Sequence, residues 1–96
     1  MYARVTRIQF APRMRAEVAS VARGLAPILK RQQGFEGLQV LTNADTGEGV
    51  IISLWETEAD AAANEAGSLY IGQMSMMSSF LYEPLTPETY EVSARV

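Results

Sequence analysis

Four side chains of this chain could do chemistry without a metal or an imidazole: Arg4, Trp55, Asn64 and Tyr70. A guanidinium, an indole N–H, a carboxamide and a phenol are all hydrogen-bond donors. Together they could hold a small anion, one cation and several donors favouring its charged form. Each residue also has a plainer reading. Trp55 is either a flat pocket wall with one N–H or a core plug whose N–H is capped by a backbone carbonyl. Asn64 interrupts an alanine-rich helix, where an amide is expected to face solvent unless a contact holds it. Arg4 shares strand parity with Tyr2 and Thr6, and either anchors an anion or pairs with a carboxylate such as Glu91. Tyr70, Met74, Met77 and Leu81 recur at helical spacing. Such a stripe either is core or lines an adaptable apolar cavity, to which Thr6 would add a hydroxyl.

Composition removes most other chemistries. The chain has 96 residues and contains neither cysteine nor histidine. Disulfides, thiolate metal sites, cysteine nucleophiles and Ser-His-Asp arrangements are therefore excluded. Its eight cationic and eleven acidic residues give a net charge of −3, against the basic stripe expected of a nucleic-acid surface. No apolar run reaches the roughly 20 residues of a membrane span, and the chain opens into a strand-like segment rather than a targeting sequence. A cytoplasmic protein of one domain, residues 1–96, is expected. The carboxylates Glu56, Glu58, Asp60 and Glu65 fit a helix start and its solvated face, and no group of them suggests a metal box.

The elements that must position these residues follow from periodicity. Tyr2 to Phe10 alternates as a strand and ends at Ala11-Pro12. From about Arg13, Met14, Val18, Val21, Leu25 and Ile28 mark one helical face, with Pro27 near its end and Gln33-Gly34 closing it. Leu38–Thr42 and Val50–Trp55 read as a hairpin around Asn43-Ala44-Asp45-Thr46-Gly47-Glu48-Gly49. Val50-Ile51-Ile52-Ser53-Leu54 is so nearly continuous in apolar residues that cover on both faces is expected. Thr57, three residues before Asp60, caps a helix over Glu58–Ala66. Gly67-Ser68 breaks it, a second helical piece follows, and Tyr90–Val96 alternates as the last strand. The order β-α-β-β-α-β, with the second helix broken, predicts an α+β ferredoxin-like sandwich, one antiparallel sheet under helices on one face. The uncovered sheet face predicts a homodimer.

The blocks Gly34-Phe35-Glu36-Gly37, Asp45-Thr46-Gly47 and Ile52-Ser53-Leu54-Trp55-Glu56-Thr57-Glu58-Ala59-Asp60-Ala61 resemble the antibiotic biosynthesis monooxygenase family, of the dimeric α+β barrel superfamily. The resemblance implies two sheets facing each other across a dimer. It also implies a small aromatic ligand and, in one branch, cofactor-independent oxidation of aromatic polyketides to quinones by dioxygen. The haem-degrading branch carries a Trp matching Trp55, an Asn on the first strand where this chain has Thr6, and a His ligand. Without histidine, haem degradation by that route is not expected, and no cofactor is. The reading is a cofactor-independent monooxygenase with Trp55, Asn64, Tyr70 and Arg4 as catalytic candidates and Thr6, Met74, Met77 and Leu81 as substrate-binding ones. The alternative is a non-catalytic ligand-binding or interaction module on the same barrel.

Overall fold

The computed structural model describes residues 1–96. The elements are β1 (Tyr2–Gln9), a short 3-10 turn (Pro12–Met14), α1 (Arg15–Leu29), β2 (Phe35–Thr42), β3 (Glu48–Trp55), α2 (Glu58–Glu65), α3 (Ser68–Ser78) and β4 (Pro87–Glu91). The strands form one antiparallel sheet in the order β2-β3-β1-β4. This is the expected ferredoxin-like arrangement with a broken second helix. No helix is long and apolar enough to cross a membrane.

β1 is central, and its two faces differ sharply. The side chains of Arg4, Thr6, Ile8 and Phe10 are buried under the helices, while Arg7 is exposed on the other face. Direct cross-strand pairing puts Trp55, Ser53 and Ile51 on the helix side, opposite Tyr2, Arg4 and Thr6. The helix-side row of β1 therefore runs from polar at Arg4 to apolar at Phe10. At the apolar end Ile8, Phe10, Val18 and Met77 form a closed cluster. Burial of each such side chain contributes about 1.5–3 kcal/mol.

α1 buries Val18, Ala22 and Leu29, so its inward face is rotated from the expected stripe, and Ile28 is exposed. Pro27 does not end the helix, because the Lys30 N–H still reaches the Ala26 carbonyl at 3.0 Å. The helix loses only the one donor that proline lacks. Gly34 takes φ +77°, and a Cβ there would overlap the Asp60 carboxylate. Its carbonyl accepts from the Glu56 N–H at 2.7 Å, so the turn before β2 is clamped to the turn before α2. There Thr57 caps α2, its Oγ1 accepting from the Asp60 N–H at 3.0 Å, as the spacing predicts.

The last strand differs from expectation. β4 spans Pro87–Glu91, so of the expected strand Tyr90–Val96 only Tyr90 and Glu91 pair, and residues 92–96 lie outside any strand. Glu91 pairs with Tyr2, at the very start of β1, so the neighbour runs out. One further bond, Val92 N–H to Met1 carbonyl at 2.9 Å, ends the ladder. Pro87 is the first residue of the strand, where a missing donor is tolerated.

β3 is also not covered on both faces within the chain. Val50, Ile52 and Leu54 are only half-buried on the open side of the sheet. Leu41 and Tyr90, on the same side, are 51% and 52% exposed.

Candidate functional site

At the polar end of the β1 row, the Arg4 guanidinium lies 5% exposed between the sheet and helices α2 and α3. It donates through Nη1 to the Ala61 carbonyl at 3.0 Å and through Nη2 to Asn64 Oδ1 at 2.7 Å. Its carbon sits 4.5 Å from the Tyr70 ring centroid and 5.3 Å from that of Trp55. Every partner is neutral. Buried cations normally have a carboxylate partner, and here aromatic faces and amide oxygens take that place. Burial pulls the Arg4 pKa down, opposed by the Tyr70 phenol and the nearby Glu65 carboxylate. Burial pushes the Tyr70 phenol up, partly offset by Arg4, with Glu65 adding to the rise. Arginine stays protonated, so near neutrality the pair is a cation beside a neutral phenol.

The local sequence explains why Arg4 can be held there. Alternation along β1 points it at the helices, and the small Ala61 lets α2 approach closely. Asn64, three residues on, lies on the same helical face. It is buried rather than solvent-facing, because Arg4 occupies its oxygen and its Nδ2 donates to Gln32 Oε1 at 3.3 Å. Glu91 accepts from the Tyr2 hydroxyl at 3.3 Å, and Arg4 does not pair with it.

Trp55 is fully buried. Its Nε1 donates to Ser53 Oγ at 2.9 Å, two residues back on the same strand face, rather than to a backbone carbonyl. Phe35 meets it edge-on, with centroids 5.5 Å apart and planes at 74°. Trp55 thus backs Arg4 and does not reach the open space in front of it.

That space is a small cavity between sheet, α1 and α3. It is lined by Arg4, Thr6, Leu38, Val40, Ile51 and Ser53 of the sheet, Ala22, Leu25 and Leu29 of α1, and Tyr70, Gln73, Met74 and Met77 of α3. Of the candidates named from sequence, Arg4, Thr6, Tyr70, Met74 and Met77 come together here. Asn64 and Trp55 stand behind Arg4, and Leu81 lies elsewhere, bridged to Phe10 and packed on the apolar cluster. Two residues that sequence reasoning missed, Ser53 and Gln73, complete the wall. Gln73 is 5% exposed, and its Nε2 has no hydrogen-bond partner. A polar residue three after Tyr70 and four before Met77, inside an apolar stripe, was its signal. The cavity measures about 30 Å³, room for roughly two waters. A ring-sized ligand needs on the order of 300 Å³. No group of three or more acidic side chains could hold a metal ion.

The family model for antibiotic biosynthesis monooxygenases matches residues 1–68, from β1 through α2 to the start of α3. The chain belongs to that family. No curated protein matches it in sequence. Solved structures share the fold at low identity. SnoaB from Streptomyces nogalater, a cofactor-independent oxygenase, superposes with TM-score 0.80 at 19% identity, covering 99% of this chain and 95% of its own. Rv0793 from Mycobacterium tuberculosis gives 0.77 at 14% identity, covering 98% and 96%. A protein of unknown function from Nitrosomonas europaea, NE2512, gives 0.76 at 21% identity, covering 99% and 91%. At such identities the family member and its neighbours share an architecture, and the side chains of each site must speak for themselves.

Proposed function

We propose that this family member is a cofactor-independent monooxygenase that oxidises a small aromatic compound with dioxygen. The observation that carries the reading is the buried Arg4 guanidinium, satisfied only by neutral groups, beside a cavity lined by Gln73, whose Nε2 has no partner. Such a place favours an oxyanion over its neutral acid. A deprotonated phenol or quinol is electron-rich enough to give one electron to dioxygen. The resulting superoxide and substrate radical combine, and loss of water from the peroxide leaves a quinone. Overall, one dioxygen and two substrate hydrogens become one water and one carbonyl oxygen. Arg4 holds the oxyanion, Trp55 and Asn64 fix Arg4, and Tyr70, Thr6, Met74 and Met77 shape the wall. SnoaB's description as a cofactor-independent oxygenase supports the reading.

The test is oxygen uptake with a panel of hydroxylated anthrones and naphthols. Uptake that Arg4→Met abolishes is expected. The alternative is a non-catalytic binding module, and in either case a ring enters the small cavity only if the walls part. Saturable binding of an aromatic without any uptake would select that module.

The same reading has the whole chain acting as one domain in the cytoplasm, paired as a homodimer through the open sheet face. The half-buried Val5, Ile52 and Leu54, with exposed Leu41 and Tyr90, are the apolar surface that supports such pairing. Light scattering at micromolar concentration should give twice the chain mass, and Ile52→Glu should halve it. A monomeric wild-type chain would end the dimer proposal.

A further inference from the structure

A second concavity, about 540 Å³ and open to solvent, runs between α1 and the edge strand β2. Its floor is made by Ala19, Ala22 and Ala26 of α1 against Phe35, Gly37 and Leu38 of β2. Arg23 and Lys30 also line it, against a single carboxylate, Glu36. Three residues, Ala22, Leu38 and Val40, belong to the walls of both this groove and the small cavity at Arg4. Ala22 offers only a methyl group there, so the partition is completed by two half-buried side chains, Leu38 and Val40, that can change rotamer. The groove has the size for a ring system, and the cavity has the size for about two polar atoms. The cavity is furnished with donors: Gln73 Nε2 is unpartnered, and Arg4 has more N–H groups than its two bonds use.

We infer that groove and cavity are the two halves of one binding site for an aromatic monoanion, of which an aromatic carboxylate is the simplest case. The ring lies in the groove on the alanine face of α1. The anionic end passes between Ala22, Leu38 and Val40 and meets Gln73 and Arg4. Arg23 and Lys30 raise the local concentration of such anions at the groove, a salt-dependent effect. This rests on the reading that Arg4 faces a ligand and names the ligand's class, but it does not require oxidation.

The test is a methyl and side-chain-amide NMR titration with 2-naphthoate at pH 7, with neutral 2-naphthamide as its isostere. The expected result is one saturable process that shifts the Leu38 and Val40 methyls and the Gln73 amide together. The amide should bind at least about tenfold more weakly, the scale of one charge-assisted hydrogen bond. Ala22→Phe should abolish binding. Because that change strains a packed helix, a second variant combines Arg23→Ala and Lys30→Ala on the exposed rim. It should weaken naphthoate severalfold and leave the amide nearly unchanged. No naphthoate binding, shifts confined to another surface, equal affinity for the amide, or a rim variant that binds both ligands as wild type does would each overturn the inference. Binding as described with no oxygen uptake on any substrate would leave this site standing and end the oxygenase reading.

Discussion

Replacing Arg4 with Met removes the one buried charge and leaves most of the side-chain volume in place. Two hydrogen bonds from a charged donor are lost, each contributing about 1.5–3 kcal/mol, and two ring-face contacts, each about 1–2 kcal/mol when desolvated. Against these stands the desolvation of a guanidinium, several kcal/mol, which the variant no longer suffers. The opposing terms are similar in size, so the unpaired remnants decide the outcome. The Ala61 carbonyl lies within the α2 ladder, but Asn64 Oδ1 has no other acceptor role and is left buried without a donor. Arg4→Met should therefore destabilise by about 1–3 kcal/mol, the cost of one orphaned acceptor. In a chain of this size that lowers Tm by about 4–8 °C for each kcal/mol. Asn64→Ala alone leaves the guanidinium short of an acceptor and should cost a comparable amount. The double variant removes both partners, so its cost should fall short of the two single costs combined by about 1–2 kcal/mol. Urea unfolding of the four proteins, with unchanged slopes, measures this cycle. Single costs that simply add, or an Arg4→Met protein more stable than wild type, would refute the reasoning.

Three further outcomes follow from the same geometry. Thr57→Ala removes the α2 cap and should cost about 1 kcal/mol by urea unfolding, with Thr57→Ser retaining most of it. Gly34→Ala combines a left-handed backbone with overlap of the Asp60 carboxylate, and should lower stability by well over the 1 kcal/mol of the left-handed term. Pairing it with Asp60→Ala should recover part of the loss. The Tyr70 phenol has its pKa raised on folding, so its contribution is complete below the unfolded value, near 10, and is lost as pH rises through the folded value. Denaturation midpoints of wild type should thus fall more steeply above about pH 10 than those of Tyr70→Phe, and parallel curves would contradict the buried placement.

Local chemistry made much of the fold legible. The Thr57 cap, the break at Gly67-Ser68, the hairpin turn and the element order depend on neighbours a few residues apart, which is where sequence patterns act. What escaped depends on partners far along the chain. Asn64 reads as a solvent-facing amide because nothing near it in sequence needs an acceptor, and the group that needs one, Arg4, is 60 residues away. Val92, Ala94 and Val96 alternate as a strand should, but strand length is set by the neighbour, and β1 begins at Tyr2, opposite Glu91. Ser53 and Gln73 were hidden for the opposite reason. Each is a single polar residue in an apolar run, and such interruptions are easily assigned to the solvent side. Arg4 was placed by parity alone, and parity could choose its face but not its company.

Arg4 also decides where sensitivity to acid and base must lie. Neither it nor Tyr70 changes charge near neutrality, and no imidazole or thiol in the chain can do so. The cage of Trp55, Tyr70 and Asn64 holds a charge that does not vary near neutrality, so the side chains that line the cavity contribute no titration of their own there. Any rise or fall of occupancy around pH 7 would then trace the ionisation curve of the guest. The acid strength of an unknown ligand could thus be read from the protein's response before the ligand itself is identified.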